Sequence, residues 1–459
     1  MTMRTLATRE IYNVLDDLTV EVEVLNNPYH FQLDQLFQMA TRINKKRSFL
    51  FVSKVLGKHL AVDPHIPLLV GNLLAMRYVE VVYGIQDPRA NEVAQAIQTG
   101  QNLEAVSAAL QNDPMTLARP TTFIGFAETA TALGHAVFRS FATNATYIHT
   151  TREQVNELTS IINFEEEHSH ATSHRVYALD QQLFQNDDEV VLVDDEMTTG
   201  KTAVNIIRTI NATYPAKKVF TVVSILDWRT AEHREQYRQL EEELAITIHV
   251  VALVDGTITV TGQPSLEQES SEMLPGTSPE ISYLSIAEFL KPEMLQYATS
   301  TDATGNPNQS AYVKATGRFG LSTNENQAFS RQLQAMAAHL TAQRKGKKTL
   351  VIGTGEFMYV PMHIASMMGS EVYFQATTRS PIYQTTREAY TIQSKFTFDS
   401  PENAGVVNHL YNIEPNQYDD IFIFIERMSS MDGANALVKE LATTLIPSVK
   451  IVIMTEIIE

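Results

Sequence analysis

At 459 residues, 44% hydrophobic and 19% charged, the chain is composed like an ordinary globular protein with room for two or three domains, each with its own core. A formal net charge of −18 argues against a broad nucleic-acid surface or an anionic membrane as partner, and the absence of cysteine excludes disulfides and thiolate chemistry. No apolar run approaches the ~20 residues of a membrane span, and Arg4, Arg9 and Glu10 interrupt any signal-peptide core, so a cytoplasmic protein is expected.

Residues 1–30 read as a leader with one strand, Leu18–Leu25. A basic cluster then stands out from the acidic background: Lys45, Lys46, Arg47, Lys54 and Lys58, flanking the apolar segment Phe49–Val52. Such a cluster serves anion capture in an acidic protein, or simply forms a solvated face. Residues 30–255 alternate apolar strands with amphipathic helices, the pattern of a parallel sheet wrapped by helices. Strands are expected at Thr122–Gly125, Ala145–His149, Glu189–Val193, Lys218–Leu226 and Thr247–Leu253.

The junction from Gly125 through Ala127, Glu128 and Thr129 runs from a strand into a helix starting near Ala130. Its small residues let backbone N–H groups converge on an anion, and Arg152, at the end of the next strand, can fork onto phosphate oxygens. The segment Phe164–Arg175 carries His168, His170 and His174. Their spacing allows a metal pair on a strand or a helix, and the segment also reads as a solvated charged loop.

The most informative stretch is Val190-Val-Leu-Val-Asp-Asp-Glu-Met-Thr-Thr-Gly-Lys-Thr202. Four apolar β-formers end at Asp194 and Asp195, and a hydroxyl- and glycine-rich turn opens a helix whose stripe is Ala203, Ile206, Ile207 and Ile210. The free N–H groups and positive dipole end of that helix favour an anion, Thr198, Thr199 and Thr202 add hydroxyl donors, and Gly200 allows close backbone approach. Lys201 completes the loop; a P-loop is excluded because its first glycine would fall on Asp195. The paired acids suit a diol or a divalent metal reached through it or through water, so a ligand with a phosphate, a diol and a cation fits. Downstream, Trp228 sits at a strand exit beside Asp227 and Arg229, placed either to stack on a flat base or to fill the core.

Residues 264–310, rich in Pro, Ser, Gly, Asn and Thr, read as a linker with a helical island at Leu284–Tyr297. A second α/β unit is expected over 312–459, with strands at Thr349–Ile352, Glu371–Gln375, Asp420–Ile425 and Lys450–Met454. It echoes the first. Phe123-Ile-Gly-Phe-Ala-Glu128 matches Val351-Ile-Gly-Thr-Gly-Glu356, His135 matches His363, Thr150-Thr151-Arg152 matches Thr377-Thr378-Arg379, and Val190–Asp195 matches Ile421–Glu426. The order implies a degenerate internal duplication. The second copy lacks a phosphate loop, reading Arg427-Met-Ser-Ser-Met-Asp-Gly433 after Glu426.

The strand–acids–loop–helix order closely resembles the ribose-phosphate signature of type I phosphoribosyltransferases. With Lys46–His59, the His-rich loop, Arg318-Phe319-Gly320, Gly353–Pro361 and Thr378-Arg379-Ser380-Pro381, the chain resembles the orotate-phosphoribosyltransferase-like proteins of bacterial tellurite-resistance and stress operons. Those carry a C-terminal domain named for the Thr-Arg-Ser-Pro motif. The resemblance implies a type I phosphoribosyltransferase fold followed by a second α/β domain. It implies phosphoribosyl pyrophosphate (PRPP) as substrate, with Asp194 and Asp195 on the ribose hydroxyls and the Thr198–Thr202 loop on the 5-phosphate. It also implies Mg²⁺ and a mobile charged lid holding His168, His170, His174 and Arg175, placed to contact pyrophosphate. A nucleobase-like acceptor and a homodimer are further expectations; a PRPP-sensing scaffold and a riboside hydrolase or phosphorylase are the alternatives. Glu356, His363, Arg379, Ser380 and Glu426 are expected to form a second polar site or to remain as remnants.

Overall fold

The computed structural model describes residues 8–43, 47–165, 173–266, 278–428 and 431–456. Lys45, Lys46, His168 and His170 lie outside the described residues. The chain begins with a hairpin, β1 (Thr8–Leu15) and β2 (Leu18–Asn26). In β2 the buried Val20 and Val22 alternate with Glu21 and Glu23, a pattern that needs a covered face. The hairpin gains that cover by joining the edge of the main sheet, so this part of the expected leader belongs to the domain. Beyond a short helical turn and the hairpin Phe37–Thr41/Phe49–Ser53 comes α1 (His65–Tyr83), long and apolar enough by composition to cross a membrane, with 67% of its most apolar window buried inside this fold.

The centre of the first half is built from β3 (Thr121–Gly125), α2 (Ala130–Phe138), β4 (Ala145–His149), β5 (Glu189–Val193), α3 (Lys201–Thr213), β6 (Val219–Asp227) and β7 (Thr247–Thr261). Strands β7-β6-β5-β3-β4 are hydrogen-bonded in that order, all parallel. Val190 to Val193 of β5 are wholly buried, as a central parallel strand covered on both faces requires. Gly125 and Val223 both stand opposite Val193, which brings the carboxyl ends of β3, β5 and β6 to one level.

The second half repeats this arrangement. Its strands are β8 (Glu280–Ser285), β9 (Thr349–Gly353), β10 (Val372–Ala376), β11 (Asp420–Ile425) and β12 (Ser448–Ile453), and α4 (Tyr359–Ala365) follows β9. The order is β8-β12-β11-β9-β10, again all parallel, so β9 corresponds to β3, β11 to β5 and β10 to β4. Gly353 faces Phe424 and Ala376 as Gly125 faces Val193 and His149. The difference lies at the edge: β8 takes the place of β7 but precedes its domain in the chain. Residues 280–285 therefore belong to the second sheet rather than to a linker. The expected helical island there is the end of β8 and two short 3₁₀ turns, Ala287–Phe289 and Pro292–Met294. An edge strand with one exposed face carries no apolar run to announce it.

Loops repeat as well. The Thr150 hydroxyl accepts the Ala127 N–H at 2.8 Å, and the Thr377 hydroxyl accepts the Gly355 N–H at 2.9 Å. Thr151 pairs by backbone with Arg175 in the hairpin Ile162–Glu165/Ser173–Val176, and Thr378 pairs likewise with His409 in the hairpin Lys395–Asp399/Val407–Tyr411. These equivalences argue for duplication. The halves meet at α2 and α4, where His135 stacks on Tyr359 with ring centroids 3.4 Å apart. Both His135 and His363 are buried there, and desolvation pulls the imidazole pKa down, to about 3 for His135.

Candidate active site between the two halves

A cleft of about 630 Å³ opens where the carboxyl ends of β3, β4 and β5 converge. Ligand sites of open parallel sheets form at such places, because loops and helix N-termini gather there. The first half supplies the Phe126–Thr129 loop, Arg152, Asp194, Asp195 and Glu196, with Arg42, Arg47 and Lys58 from the preceding segment. The facing wall belongs to the second half: Thr378, Arg379, Ser380, Pro381, the Gly405–Val407 turn and His409.

The acids are placed by the sheet itself. The Asp194 N–H donates to Val223 O at 3.0 Å, the Asp194 carboxylate accepts the Asp195 N–H at 2.9 Å, and Asp195 O accepts the Ile225 N–H at 3.2 Å. Both side chains remain partly exposed to the cleft. Glu196 is tied to Arg47 at 2.6 Å, and the Arg47 guanidinium lies 4.5 Å over the Phe49 ring. Burial pushes the Glu196 carboxyl up, against the pull of Arg47.

At the β3–α2 turn the Phe126 N–H is used by Val193 O and the Ala127 N–H by the Thr150 hydroxyl. The Glu128–Ala130 turn that opens α2 stands beside Lys58, whose ammonium donates to the Thr129 hydroxyl. Gly125 serves close packing, since a Cβ there would lie 2.4 Å from Ala130 O. The Thr198–Thr202 loop lies next along the chain from the acids, at the N-terminus of α3 rather than in the cleft wall. Gly200 adopts φ +72° there; its carbonyl accepts the Tyr237 hydroxyl at 2.9 Å, and Arg229 lies 4.1 Å over the Tyr237 ring.

Several expected residues sit elsewhere. Trp228 is fully buried, stacked on Phe51 and edge-on to Phe37, so it fills the core and cannot meet a base. The hairpin Phe37–Thr41/Phe49–Ser53 covers the strand exit that sequence alone leaves open. Asp227 and Arg229 form a buried ion pair at 2.9 Å. Lys54 is outside the cleft wall. His174 is buried, stacked on Phe164 and within 3.1 Å of the Thr150 hydroxyl, which makes it a hairpin core residue rather than part of a lid. Among the described residues, no group of three or more His, Asp or Glu is placed to hold a metal.

The two glutamates of the internal repeat cross between halves. Glu128 accepts the Thr378 hydroxyl at 3.1 Å and the Arg379 N–H at 3.3 Å. Glu356 accepts the Thr151 hydroxyl at 2.6 Å and the Arg152 N–H at 2.8 Å. The expected second polar site is thereby divided. Arg379 and Ser380 face the first cleft, whereas Glu356 and Glu426 surround the buried Arg318 at 2.6 and 3.4 Å. Burial alone would raise the Glu356 carboxyl; Arg318 overrides it and holds Glu356 well below the usual carboxylate range. Beside them Arg427 is enclosed by Ser310 O, Ser300 Oγ and Asn308 O, each at 2.7 Å. The second cradle is filled by protein.

Residues 36–257 match the family described as "Phosphoribosyl transferase", and residues 315–441 match "TRSP domain C terminus to PRTase_2". The chain belongs to the phosphoribosyltransferases that carry a C-terminal TRSP domain. No curated protein matches the sequence. Among solved structures, adenine phosphoribosyltransferase from Trypanosoma brucei is 12% identical, with 39% of this chain and 78% of that one covered and a TM-score of 0.25. The enzyme of the same name from Rhodothermus marinus is 16% identical, covering 37% and 87%, with a TM-score of 0.23. Hypoxanthine phosphoribosyltransferase from Trypanosoma cruzi is 14% identical, covering 43% and 78%, with a TM-score of 0.21. Within this phosphoribosyltransferase, sequence reasoning left Arg42, Glu196 and His409 out of the site and assigned Arg379 and Ser380 to another. The repeated Thr-Thr-Arg was the available signal, since equivalent positions in two facing copies can look into one cleft.

Proposed function

We propose that the chain is a Mg²⁺-dependent transferase that moves phosphoribosyl from PRPP to a nucleobase-like acceptor. The observation that carries this reading is the pair Asp194 and Asp195, set at the exit of a buried parallel strand and one short loop before a helix N-terminus. The Thr198–Thr202 loop would hold the 5-phosphate through N–H groups and hydroxyls, with Gly200 letting the backbone close on it. Asp194 and Asp195 would accept the two ribose hydroxyls and fix the ring. Thr129, Lys58 and Arg152 would receive the pyrophosphate.

The residues fit a magnesium ion held indirectly: two partly exposed carboxylates flank the cleft, and Mg²⁺ commonly keeps waters and substrate oxygens as most of its ligands. When bound, it would neutralise charge on the departing pyrophosphate. The C1–O bond to pyrophosphate breaks, a ring nitrogen of the acceptor forms the new bond to C1, and the nitrogen's proton leaves to solvent or pyrophosphate. No protein nucleophile is required; positioning and fixed charge do the work. Arg47, paired with Glu196, would stand in the same cleft wall. A nucleoside-like product made in the cytoplasm for a tellurite or stress response belongs to the same proposal.

The test is pyrophosphate release from PRPP across a panel of purine and pyrimidine bases, with and without Mg²⁺. Base-dependent release supports the reading. PRPP hydrolysis without a base, or binding without any turnover across the panel, would favour a hydrolase or a sensor instead.

A further inference from the structure

The equivalent arginines of the two copies, Arg152 and Arg379, both line the same cleft. The duplication therefore yields one cleft served by both halves and one cradle filled by Arg318. We infer that Arg379, a residue of the C-terminal half, is a substrate-contacting residue of the first half's site and binds the pyrophosphate group together with Arg152 and Lys58. This inference rests on the PRPP reading above.

Three observations place it there. Glu128 accepts both the Thr378 hydroxyl and the Arg379 N–H, so the backbone of Arg379 is pinned to the very turn that opens α2. The Thr378 hydroxyl also accepts the Ser380 N–H at 3.1 Å, which tightens the turn and fixes where the arginine starts. The Arg379 side chain is 22% exposed, and its ion pair with Glu128 is loose at 4.0 Å. Structural arginines here are held differently: Arg229 and Arg318 are buried, with carboxylates at 2.9 and 2.6 Å. A pinned backbone with a loosely paired guanidinium facing a cleft is the arrangement of a ligand-binding arginine, whose planar fork suits phosphate oxygens. The chemistry of the ligand follows from the wall: Lys58 and Arg379 stand at the Glu128–Thr129 turn before the α2 N-terminus, and with Arg152 in the same cleft they select a polyanion.

The experiment titrates the full chain with inorganic pyrophosphate plus Mg²⁺, and separately with ribose 5-phosphate, in the wild type, Arg379→Ala and Arg379→Lys. Both variants keep the backbone bond to Glu128. Arg379→Ala should bind pyrophosphate roughly 10- to 100-fold more weakly, as expected for losing a charge-assisted contact. Arg379→Lys should fall between, and ribose 5-phosphate affinity should not move. Equal pyrophosphate affinity in the wild type and Arg379→Ala overturns the inference while leaving the PRPP reading in place. Parallel loss of both ligands overturns it too, marking Arg379 as a scaffold residue. A wild type that binds neither ligand removes the PRPP reading on which the inference stands.

Discussion

The two cradles of this chain differ less in backbone than in what occupies them. In the first half β5 leads into Asp194 and Asp195, which line the cleft partly exposed, and a glycine-centred loop leads into α3. In the second half β11 ends at Glu426, which accepts the Val313 N–H at 2.8 Å and lies 3.4 Å from Arg318. Both strand ends bond to their own chain, but Asp194 and Asp195 stay partly exposed on the cleft, whereas Glu426 is buried beside Arg318. The same sheet order can thus support a ligand site or a structural joint, and the choice is made by a few residues at the strand exit. Arg318 makes that choice visible, because its one guanidinium sits between Glu356 and Glu426 at the corresponding loop and strand end.

The comparison is broken most directly at the acids. Asp194→Asn combined with Asp195→Asn should lower transfer by at least about 10³-fold while leaving the thermal midpoint near that of the wild type, since both side chains face the cleft. Glu426→Gln, the matching change in the second half, should leave PRPP affinity intact and appear as lost stability. Arg318→Met sharpens the contrast further. It strands Glu356 and Glu426 as buried carboxylates without their cation, at a cost of roughly 3–5 kcal/mol by urea denaturation. An unchanged denaturation midpoint would show that Arg318 is not the keystone of the second half.

Gly200→Ala tests the phosphate loop. The residue adopts φ +72°, and a Cβ would fall 2.5 Å from the Tyr237 hydroxyl and 2.8 Å from Arg229 Cδ. The left-handed backbone alone costs about 1–2 kcal/mol for a residue with a side chain, and ribose 5-phosphate affinity should fall with it. The smallest effect is electrostatic. Burial, with the carboxylates of Glu426 and Glu153, pushes the Glu402 carboxyl up to about 8 from its ordinary 4.5. Between those values the folded state holds a proton that the unfolded chain has shed, so stability falls as pH rises through that window. Glu402→Gln should remove this slope: its thermal midpoint should match the wild type near pH 5 and exceed it near pH 9. Parallel midpoint curves for the two proteins across that range would contradict the raised pKa.

Much of this was legible in the sequence, for physical reasons. Wholly buried strands such as Val190–Val193 must be continuously apolar, so they announce themselves and the acids that end them. The repeat was legible because Thr-Thr-Arg and the paired glutamates are fixed by the loops they close. Other features were not. Edge strands such as Glu280–Ser285 alternate polar and apolar residues weakly and read as linker. Trp228 was ambiguous because burial at a strand exit depends on the aromatic hairpin around Phe37 and Phe51, remote in sequence. The joining of Arg379 to Glu128, |i−j| of 251, is a contact that no local pattern encodes.

The central claim is one live cradle and one filled one in a single chain. Calorimetric titration of the full-length protein with PRPP and Mg²⁺ tests it most directly, because it reports stoichiometry along with affinity. The account expects one PRPP per chain, lost in the Asp194→Asn/Asp195→Asn variant and retained in Glu426→Gln. Two PRPP per chain, or binding that survives loss of both aspartates, would contradict it.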